Sequence, residues 1–335
     1  MHRTLTGRTT AALAAAALAA LTLAACGSSG TGSASKPPAG PSPSAQVATF
    51  PVTEGSATVT AKPQKIVSLA PTTTDMLVAI GAGSQIVAVD KDSTPVDFQG
   101  CQNLGLSCSA PSPLPPANLD AFQPNAEAVA ALQPDLVVIS NDQNKIQESL
   151  TALKIPVYVA PAAMTIDDTY KEFTELGALT GNPGGAAVAV AAERKAISDT
   201  LATLKPQAKP LTYYYELDQT YYSVTSKTFI GSLFTMAHMT NIADPSDADG
   251  KAGGYPQLSA ETIINANPDA IFLADGQCCG QSDATVAKRP GWSALSAVKG
   301  GHVKVVPDDV ASQWGTTVVA LFKDIVDESN TFATS

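Results

Sequence analysis

One unit of sequence occurs twice in this chain, and it limits the folds that the chain can adopt. Asn125-Ala126-Glu127 opens a helical pattern that ends at Gln133-Pro134-Asp135 and leads into an apolar strand pattern. Ser259-Ala260-Glu261, Asn267-Pro268-Asp269 and a second apolar strand follow in the same order, and in both copies the Glu lies eight residues before the Asp. The repeat indicates two related halves, each with its own core.

Strand and helix patterns alternate around this unit. We expect strands at 65–70, 85–89, 135–140, 157–160, 211–217, 221–225, 269–274 and 303–306, with helices between them and a closing helix at 314–328. Alternation of this kind predicts mostly parallel sheets covered by helices on both faces.

The sequence therefore predicts an α/β protein with two Rossmann-like lobes, at 47–165 and 209–335, and a ligand cleft between them. The region between the lobes, 166–208, contains an Ala-rich pattern at about 184–205 that predicts one long helix. This helix can be a stiff connector between the lobes or an ordinary surface helix.

The N-terminus predicts export. Residues 1–25 combine Arg3 and Arg8 with an apolar stretch of 15 residues, which is typical of a signal peptide and short for a membrane span. The sequence before Cys26 resembles a bacterial lipobox, so we expect Cys26 to carry the lipid anchor. The alternative is an ordinary secretory signal with an incidental Cys. Residues 26–46, rich in Gly, Ser and Pro, predict a flexible tether.

The charge of the chain excludes some partners and limits the ligand. The net charge is −10, and removal of Arg3 and Arg8 with residues 1–25 makes it −12. Such a chain is not suited to nucleic acid or to an anionic membrane surface. Only Arg194 and Arg289 remain after the signal region, and a strongly anionic ligand would need more such groups.

Several motifs together resemble the cobalamin and iron-siderophore binding proteins of ABC importers. The segment from Lys65 to Asp75 is similar to that family's opening strand and Ser-Leu-x-Pro-x-x-Thr-Glu, with Asp75 where Glu is usual. Pro124 to Glu127, Gln133 to Val137 and Asn267 to Asp269 match as well, and the likeness covers about residues 50–330. The resemblance implies two lobes joined by one long helix, a chelate ligand, and an ABC permease with its ATPase as partners. We expect a monomer.

The resemblance also implies a docking role for two glutamates. By motif position, Glu127 and Glu261 would contact Arg side chains of the permease, one from each lobe. A carboxylate at a helix N-terminus is stabilised by the helix dipole and stays exposed to an incoming guanidinium. The alternative is that both residues only stabilise the starts of their helices.

Residues that follow the predicted strands are the candidates for ligand contact. Phe122 lies near the position where a cobalamin-type relative has a ligand-stacking Trp, and Trp314 suits either ligand contact or packing. Many relatives have Arg around 313–314, and its absence here disfavours a carboxylate-rich siderophore. The full predicted set is Thr72, Thr73, Phe122, Glu216, Asp218, Tyr222, Lys227, Thr228, Gln277, Cys278, Gln313 and Trp314.

The four cysteines other than Cys26 should be oxidised outside the cytosol. A local Cys101–Cys108 disulfide is the first choice, with either a vicinal Cys278–Cys279 bond or pairing of the two loops across the cleft as alternatives. A metal site built from these cysteines is disfavoured because neither pair has Cys-x-x-Cys spacing. His238 and His302 are too few for a three-His zinc site, so a preformed chelate is the expected ligand and no cofactor is expected.

No catalytic motif is present in the sequence, so we expect a binding protein and not an enzyme. A cobalamin-type corrinoid is the preferred ligand, followed by a neutral hydroxamate-type ferric chelate and then haem. The alternatives are a surface receptor that senses ligand without transport, and a secreted enzyme on a two-lobed scaffold.

Overall fold

The first lobe is a parallel sheet preceded by a small hairpin. The computed structural model describes residues 48–107 and 110–333. The hairpin is antiparallel, and the five strands after it pair in the order β5-β4-β3-β6-β7, all parallel. The strands are β1 (Val52–Glu54), β2 (Ala57–Val59), β3 (Ile66–Leu69), β4 (Ile86–Asp90), β5 (Ala117–Leu119), β6 (Leu136–Ile139) and β7 (Val157–Val159), and the helices are α1 (Pro71–Ala79), α2 (Gly100–Asn103), α3 (Ala126–Ala131) and α4 (Ile146–Ala152).

Two helices separate this sheet from a second parallel sheet. The second sheet has the strand order β11-β10-β8-β9. Its elements, with the two helices first, are α5 (Ile166–Thr180), α6 (Pro183–Ala202), β8 (Thr212–Glu216), α7 (Phe229–Met236), β9 (Thr240–Asn241), α8 (Ala260–Ala266), β10 (Ala270–Leu273), α9 (Gly276–Cys279), α10 (Asp283–Val286), α11 (Ser296–Gly300), β11 (Val303–Val305), α12 (Asp308–Ala311) and α13 (Val318–Thr331).

The strand orders locate the ligand-binding edge of each sheet. The chain adds β4 and β5 on one side of β3 and then returns to add β6 and β7 on the other side. In the second sheet, β9 lies on one side of β8, and β10 and β11 lie on the other. The order therefore reverses beside β3 and beside β8, and the carboxyl ends of strands at such points border the crevice where α/β proteins bind ligands. The predicted α/β class with parallel sheets is confirmed.

The repeated sequence unit has the same structural role in both lobes. Asp135 Oδ2 accepts hydrogen bonds from the backbone N–H groups of Gln64 and Lys65, just before β3. Asp269 Oδ2 accepts from the backbone N–H and the hydroxyl of Thr212, at the start of β8. Each Pro-Asp step therefore fixes the start of the central strand of its own sheet.

One predicted strand is wrong, and the predicted closing helix begins later than expected. Residues 221–225 are not a strand, because Tyr221 has a left-handed φ of 70° and only Tyr222 forms an isolated bridge, to Gln257. The last helix begins at Val318 and not at Trp314. Gly315 lies between Trp314 and that helix, and a Cβ at Gly315 would lie 2.4 Å from Asp75 Oδ2.

The predicted long helix is α6, which extends over 20 residues and packs against α5 and α13. It buries Glu193 completely, and neither carboxylate oxygen of Glu193 has a hydrogen-bond partner among the described residues. Burial raises the pKa of Glu193 well above its usual value, the nearby Asp75 carboxyl raises it further, and Arg194 opposes the rise. Within 48–107 and 110–333, none of the helices is both long and apolar enough to cross a membrane.

Glu193 should make the protein less stable as the pH rises. The folded state keeps a proton on Glu193 that the unfolded state releases above the usual Glu pKa of 4.5, so the free energy of unfolding falls as the pH increases from there. We expect Glu193→Gln to raise the free energy of unfolding at pH 7.5 and to leave it nearly unchanged at pH 4.5. Glu193→Met also removes the unpaired polar group and should add about 1–3 kcal/mol at both pH values.

Urea unfolding of the three proteins at both pH values measures these differences. If Glu193→Gln raised the free energy of unfolding by the same amount at pH 4.5 and at pH 7.5, this would contradict a proton held on Glu193 in the folded state.

Candidate functional site

A cavity of about 450 Å³ opens at the carboxyl edge of the first sheet. Its walls come from residues at the ends of β3, β4 and β6, which are the strands beside the reversal of strand order. The wall on the opposite side comes from residues just before α13. The lining residues are Leu69, Ala70, Pro71, Thr72, Asp90, Asp92, Ala121, Phe122, Ser140, Asn141, Ser312, Gln313 and Trp314.

A second cavity, of about 230 Å³, lies on the side of the second sheet. Leu217, directly after β8, lines it together with the start of α7 and Tyr255. Ser312, Gln313 and Trp314 line both cavities. We call the two cavities together the cleft, and these three residues lie at the boundary between them. We call residues 312–317 the interlobe segment.

Three buried acids, two in the first lobe and one on the connecting helix α5, accept hydrogen bonds from the interlobe segment. Asp75 on α1 accepts hydrogen bonds from Thr316, through its backbone N–H at 2.7 Å and its hydroxyl at 2.8 Å. Glu172 on α5 accepts a hydrogen bond of 2.9 Å from the indole Nε1–H of Trp314. Asp97 accepts one of 2.7 Å from Nε2 of Gln313. Gln313, Trp314 and Thr316 are thus each held by a different acidic side chain.

Burial changes the protonation of two of these acids. Burial raises the pKa of Asp75 to about 7, although the hydrogen bonds from Thr316 oppose the rise. Burial also raises the pKa of Glu172 to about 7, against the hydrogen bond from Trp314. Both carboxyls therefore titrate near neutral pH.

The cleft lining contains carboxylates and aromatic rings but, among the described residues, no Lys, Arg or His. Both arginines that follow the signal region are engaged elsewhere. Arg289 forms two hydrogen bonds, of 2.6 and 2.5 Å, with the buried carboxylate of Glu216. Arg194 pairs with Asp167 at 3.4 Å and lies over the ring of Tyr170. The cleft therefore offers an anionic ligand no cationic partner.

Four of the predicted ligand residues line the cleft. Thr72 and Gln313 are nearly buried in its walls, and Trp314 is half-buried between the two cavities. Phe122 has 67% of its surface exposed at the first cavity, so its ring is accessible to a ligand face.

Three predicted ligand residues have internal structural roles. Thr73 is buried and hydrogen-bonds to Ser68 and to the backbone oxygen of Ala70. Thr228 caps α7 by accepting a hydrogen bond from the N–H of Gly231. Glu216 holds Arg289, as described above. None of the three lines the cleft.

The remaining predicted ligand residues also lie outside the cleft lining. Asp218 accepts hydrogen bonds from Thr220 within a turn. The other four predicted residues have exposed side chains and line neither cavity; they are Tyr222, Lys227, Gln277 and Cys278.

Several lining residues were missed by the sequence predictions. Asp90 ends β4 and Ser140 follows β6, so both lie where strand ends meet, and that rule could have found them. Tyr255 follows a glycine pair after an irregular stretch, and nothing in the sequence connects it with the cleft.

The cysteines are not all oxidised. Cys278 and Cys279 are exposed thiols outside any disulfide in the described part of the chain, which corrects both pairings proposed for them. They are consecutive residues of a helical turn, where neighbouring side chains diverge by about 100° and do not favour a bond with each other. Cys101 is buried and disulfide-bonded. Cys108 lies outside the described residues, so the Cys101–Cys108 pairing stays a prediction.

In the described ranges, no group of three or more His, Cys, Asp or Glu side chains could hold a metal ion. Glu127 and Glu261 are exposed in the first turns of α3 and α8, whose N-termini are capped by Asn125 and Ser259. Residues 1–46, with the predicted signal sequence, the predicted lipidation site Cys26 and the predicted tether, lie outside the described residues.

Comparison with known proteins agrees with this geometry. A cobalamin-binding protein of Halobacterium salinarum is 31% identical over 261 residues, which cover 75% of this chain and 66% of the relative, just under two thirds of its length. An uncharacterized ABC transporter substrate-binding lipoprotein of Bacillus subtilis is 27% identical over 81% of this chain and 82% of its own. The periplasmic vitamin B12 binding protein of Vibrio cholerae has the same fold, with a TM-score of 0.61 and 22% identity over 81% of this chain and 98% of its own.

The family description that matches this chain is "Periplasmic binding protein", and the match covers residues 66–310. That range includes both parallel sheets and the connecting helices α5 and α6. The resemblance first indicated by the strand and Pro-Asp motifs is confirmed, and the chain belongs to the periplasmic binding protein family.

Proposed function

We propose that this chain is the extracytoplasmic solute-binding protein of an ABC importer, and that it captures an electrically neutral or weakly charged metal chelate. The observation that carries this proposal is the composition of the cleft. It lies at the strand-order reversals of both sheets, and its described lining has aromatic and polar side chains without a single basic one. A cobalamin-type corrinoid fits this lining best.

The charges of the cleft separate the possible ligands. Haem carries two propionates and citrate-type siderophores carry several carboxylates, and proteins usually bind such groups through Arg or Lys. Among the described lining residues, the only charged groups are the carboxylates of Asp90 and Asp92. A corrinoid presents neutral carboxamides around its ring, so it does not meet this repulsion. A neutral ferric hydroxamate is the second choice and haem the third.

The aromatic residues support a ligand with a broad flat face. Phe122 is exposed at the first cavity, Trp314 lies between the two cavities, and Tyr255 lines the second. Aromatic rings contribute large contact areas with little loss of side-chain freedom. We infer that the ligand is bound between these rings and released unchanged, which is the behaviour expected of a binding protein.

Titration of the purified protein with cyanocobalamin, a neutral ferric hydroxamate, haem and ferric citrate tests the ligand class. We expect cyanocobalamin to quench the tryptophan emission and to bind most tightly. Trp314→Phe should remove most of the quenching, because Trp292 is fully buried and lines neither cavity. Chromatography should recover the chelate intact. Tighter binding of haem or ferric citrate than of cyanocobalamin would overturn the proposed ligand class, and conversion of the chelate would favour an enzyme.

Membrane attachment and permease docking are further parts of the proposal. The sequence before Cys26 and the lipoprotein relative from Bacillus subtilis support a lipid anchor at Cys26. The exposure of Glu127 and Glu261 at equivalent helix starts supports docking of one lobe on each permease half. No ion pair within the described part of the chain engages either carboxylate.

Uptake of radiolabelled cyanocobalamin by cells separates these two roles. Cys26→Ser should release the protein into the medium with its affinity for cyanocobalamin intact. Glu127→Lys combined with Glu261→Lys should leave the protein on the cell with normal affinity, yet abolish uptake, because the guanidinium groups of the permease would meet cations. Glu148→Lys, an exposed glutamate on α4, is the matched control and should leave uptake unchanged. Normal uptake by the double variant would refute docking through these residues.

A further inference from the structure

Gln313 lies at the boundary of the two cavities. Its side-chain nitrogen is hydrogen-bonded, and its side-chain oxygen has no hydrogen-bond partner among the described residues. Its side chain lines both cavities and is only 7% exposed. Its Nε2 donates a hydrogen bond of 2.7 Å to Asp97 Oδ1. Its Oε1 is buried and has no hydrogen-bond partner among the described residues. An unpaired buried amide oxygen costs about 1–3 kcal/mol, so such an atom calls for a donor.

Asp97 determines which way this amide points. Its other oxygen, Oδ2, accepts hydrogen bonds from the backbone N–H of Thr94 at 2.6 Å and from the hydroxyl of Thr94 at 3.2 Å. These bonds form a capping box on the 3₁₀ turn Pro95–Phe98, which fixes the carboxylate. A carboxylate only accepts hydrogen bonds, so the NH₂ group of Gln313 must face Asp97 and Oε1 must face away from it.

We propose that Gln313 Oε1 is the specificity-determining hydrogen-bond acceptor of the cleft, and that it receives an N–H of a carboxamide on the ligand. Asp97 is the positioning residue, because it binds the NH₂ group of Gln313 and leaves Oε1 for the ligand. The inference rests on the proposed function and deepens it, because it names the group on the chelate that is recognised. The other polar groups of the first cavity include the acceptors Asp90 and Asp92, so a neutral donor suits the site as a whole.

The carboxamide distinguishes the two preferred ligand classes. A corrinoid has several carboxamides at its edge, each with two N–H donors. In a ferric hydroxamate the hydroxamate oxygens are bound to iron and can only accept. The acceptor at Gln313 therefore suits the carboxamide edge of a corrinoid and not the iron-bound oxygens of a hydroxamate.

Substitutions at both positions test the assignment with cyanocobalamin as the probe. Gln313→Met keeps the size of the side chain but has no acceptor, and we expect it to weaken binding about 10-fold. In Asp97→Asn, the new side-chain oxygen should keep the bonds to Thr94 and the new NH₂ group should face Gln313. The Gln313 amide must then turn over and present donors to the cleft, so binding should weaken to a similar extent.

A second substitution should rescue this variant. In the Asp97→Asn background, Gln313→Glu accepts the hydrogen bond from the new amide and again presents an acceptor to the cleft. Affinity should return to within about 3-fold of the wild-type protein, which a purely structural role of Asp97 would not produce. Gln64→Met, an exposed glutamine before the start of β3 and away from the cleft, is the control and should bind like wild type.

The outcomes separate this inference from the proposed function. If cyanocobalamin binds to wild type and Gln313→Met binds it equally well, or if the double variant is not rescued, the acceptor role is overturned while the proposed function stands. If wild type does not bind cyanocobalamin, both the corrinoid assignment and its carboxamide contact are overturned.

Thermal unfolding of the ligand-free protein tests whether Asp97 and Gln313 interact. Gln313→Glu alone brings two carboxylates together and should lower the midpoint by about 2–4 °C, and Asp97→Asn should restore it. An unchanged midpoint in the single variant, or no recovery in the double variant, would overturn the contact.

Discussion

The hydrogen bonds that Asp75, Asp97 and Glu172 accept from the interlobe segment hold the walls of the cleft together. Asp75 accepts two hydrogen bonds from Thr316, one from its backbone N–H and one from its hydroxyl. Two glycines make room for this carboxyl, since a Cβ at Gly100 or at Gly315 would lie 2.3 or 2.4 Å from one of its oxygens. Because the segment is attached at Asp75, Asp97 and Glu172, Gln313 and Trp314 have defined positions between the two cavities. A segment anchored in this way also limits how far the lobes can move apart, so we infer a modest closing motion.

The small number of arginines in the chain supports the proposed selectivity of the cleft for an uncharged ligand. Of the two arginines that follow the signal region, one neutralises Glu216 inside the second lobe and the other lies over Tyr170 near α5 and α6. Both serve the scaffold, which leaves the ligand to neutral, polar and aromatic contacts. Since buried carboxylates without cationic partners are costly, the raised pKa values of Asp75 and Glu172 are the expected consequence of this arrangement.

The sequence predicted the scaffold well because its signals are local. Apolar strands, helix caps and Pro-Asp steps lie within about ten residues of one another, and they gave the α/β class, the paired units and the long helix α6. The strand-end rule also located Thr72 at the cleft, and the resemblance to cobalamin-binding relatives indicated Phe122. Contacts between residues far apart in the chain could not be predicted in this way. Asp97 and Gln313 are separated by 216 positions, and Trp314 and Glu172 by 142. The last helix begins at Val318, although the sequence pattern alone had placed Trp314 on that helix.

X-ray diffraction at the cobalt absorption edge, from crystals grown with cyanocobalamin, would locate the ligand directly. A cleft that binds a neutral corrinoid between aromatic rings predicts one strong anomalous peak between the two sheets, with the corrin ring in contact with Phe122 and Trp314 and the Glu216–Arg289 pair intact. A cobalt peak on the outer surface, beside Cys278 and Cys279 away from the cleft, or no ordered cobalt at all, would contradict it.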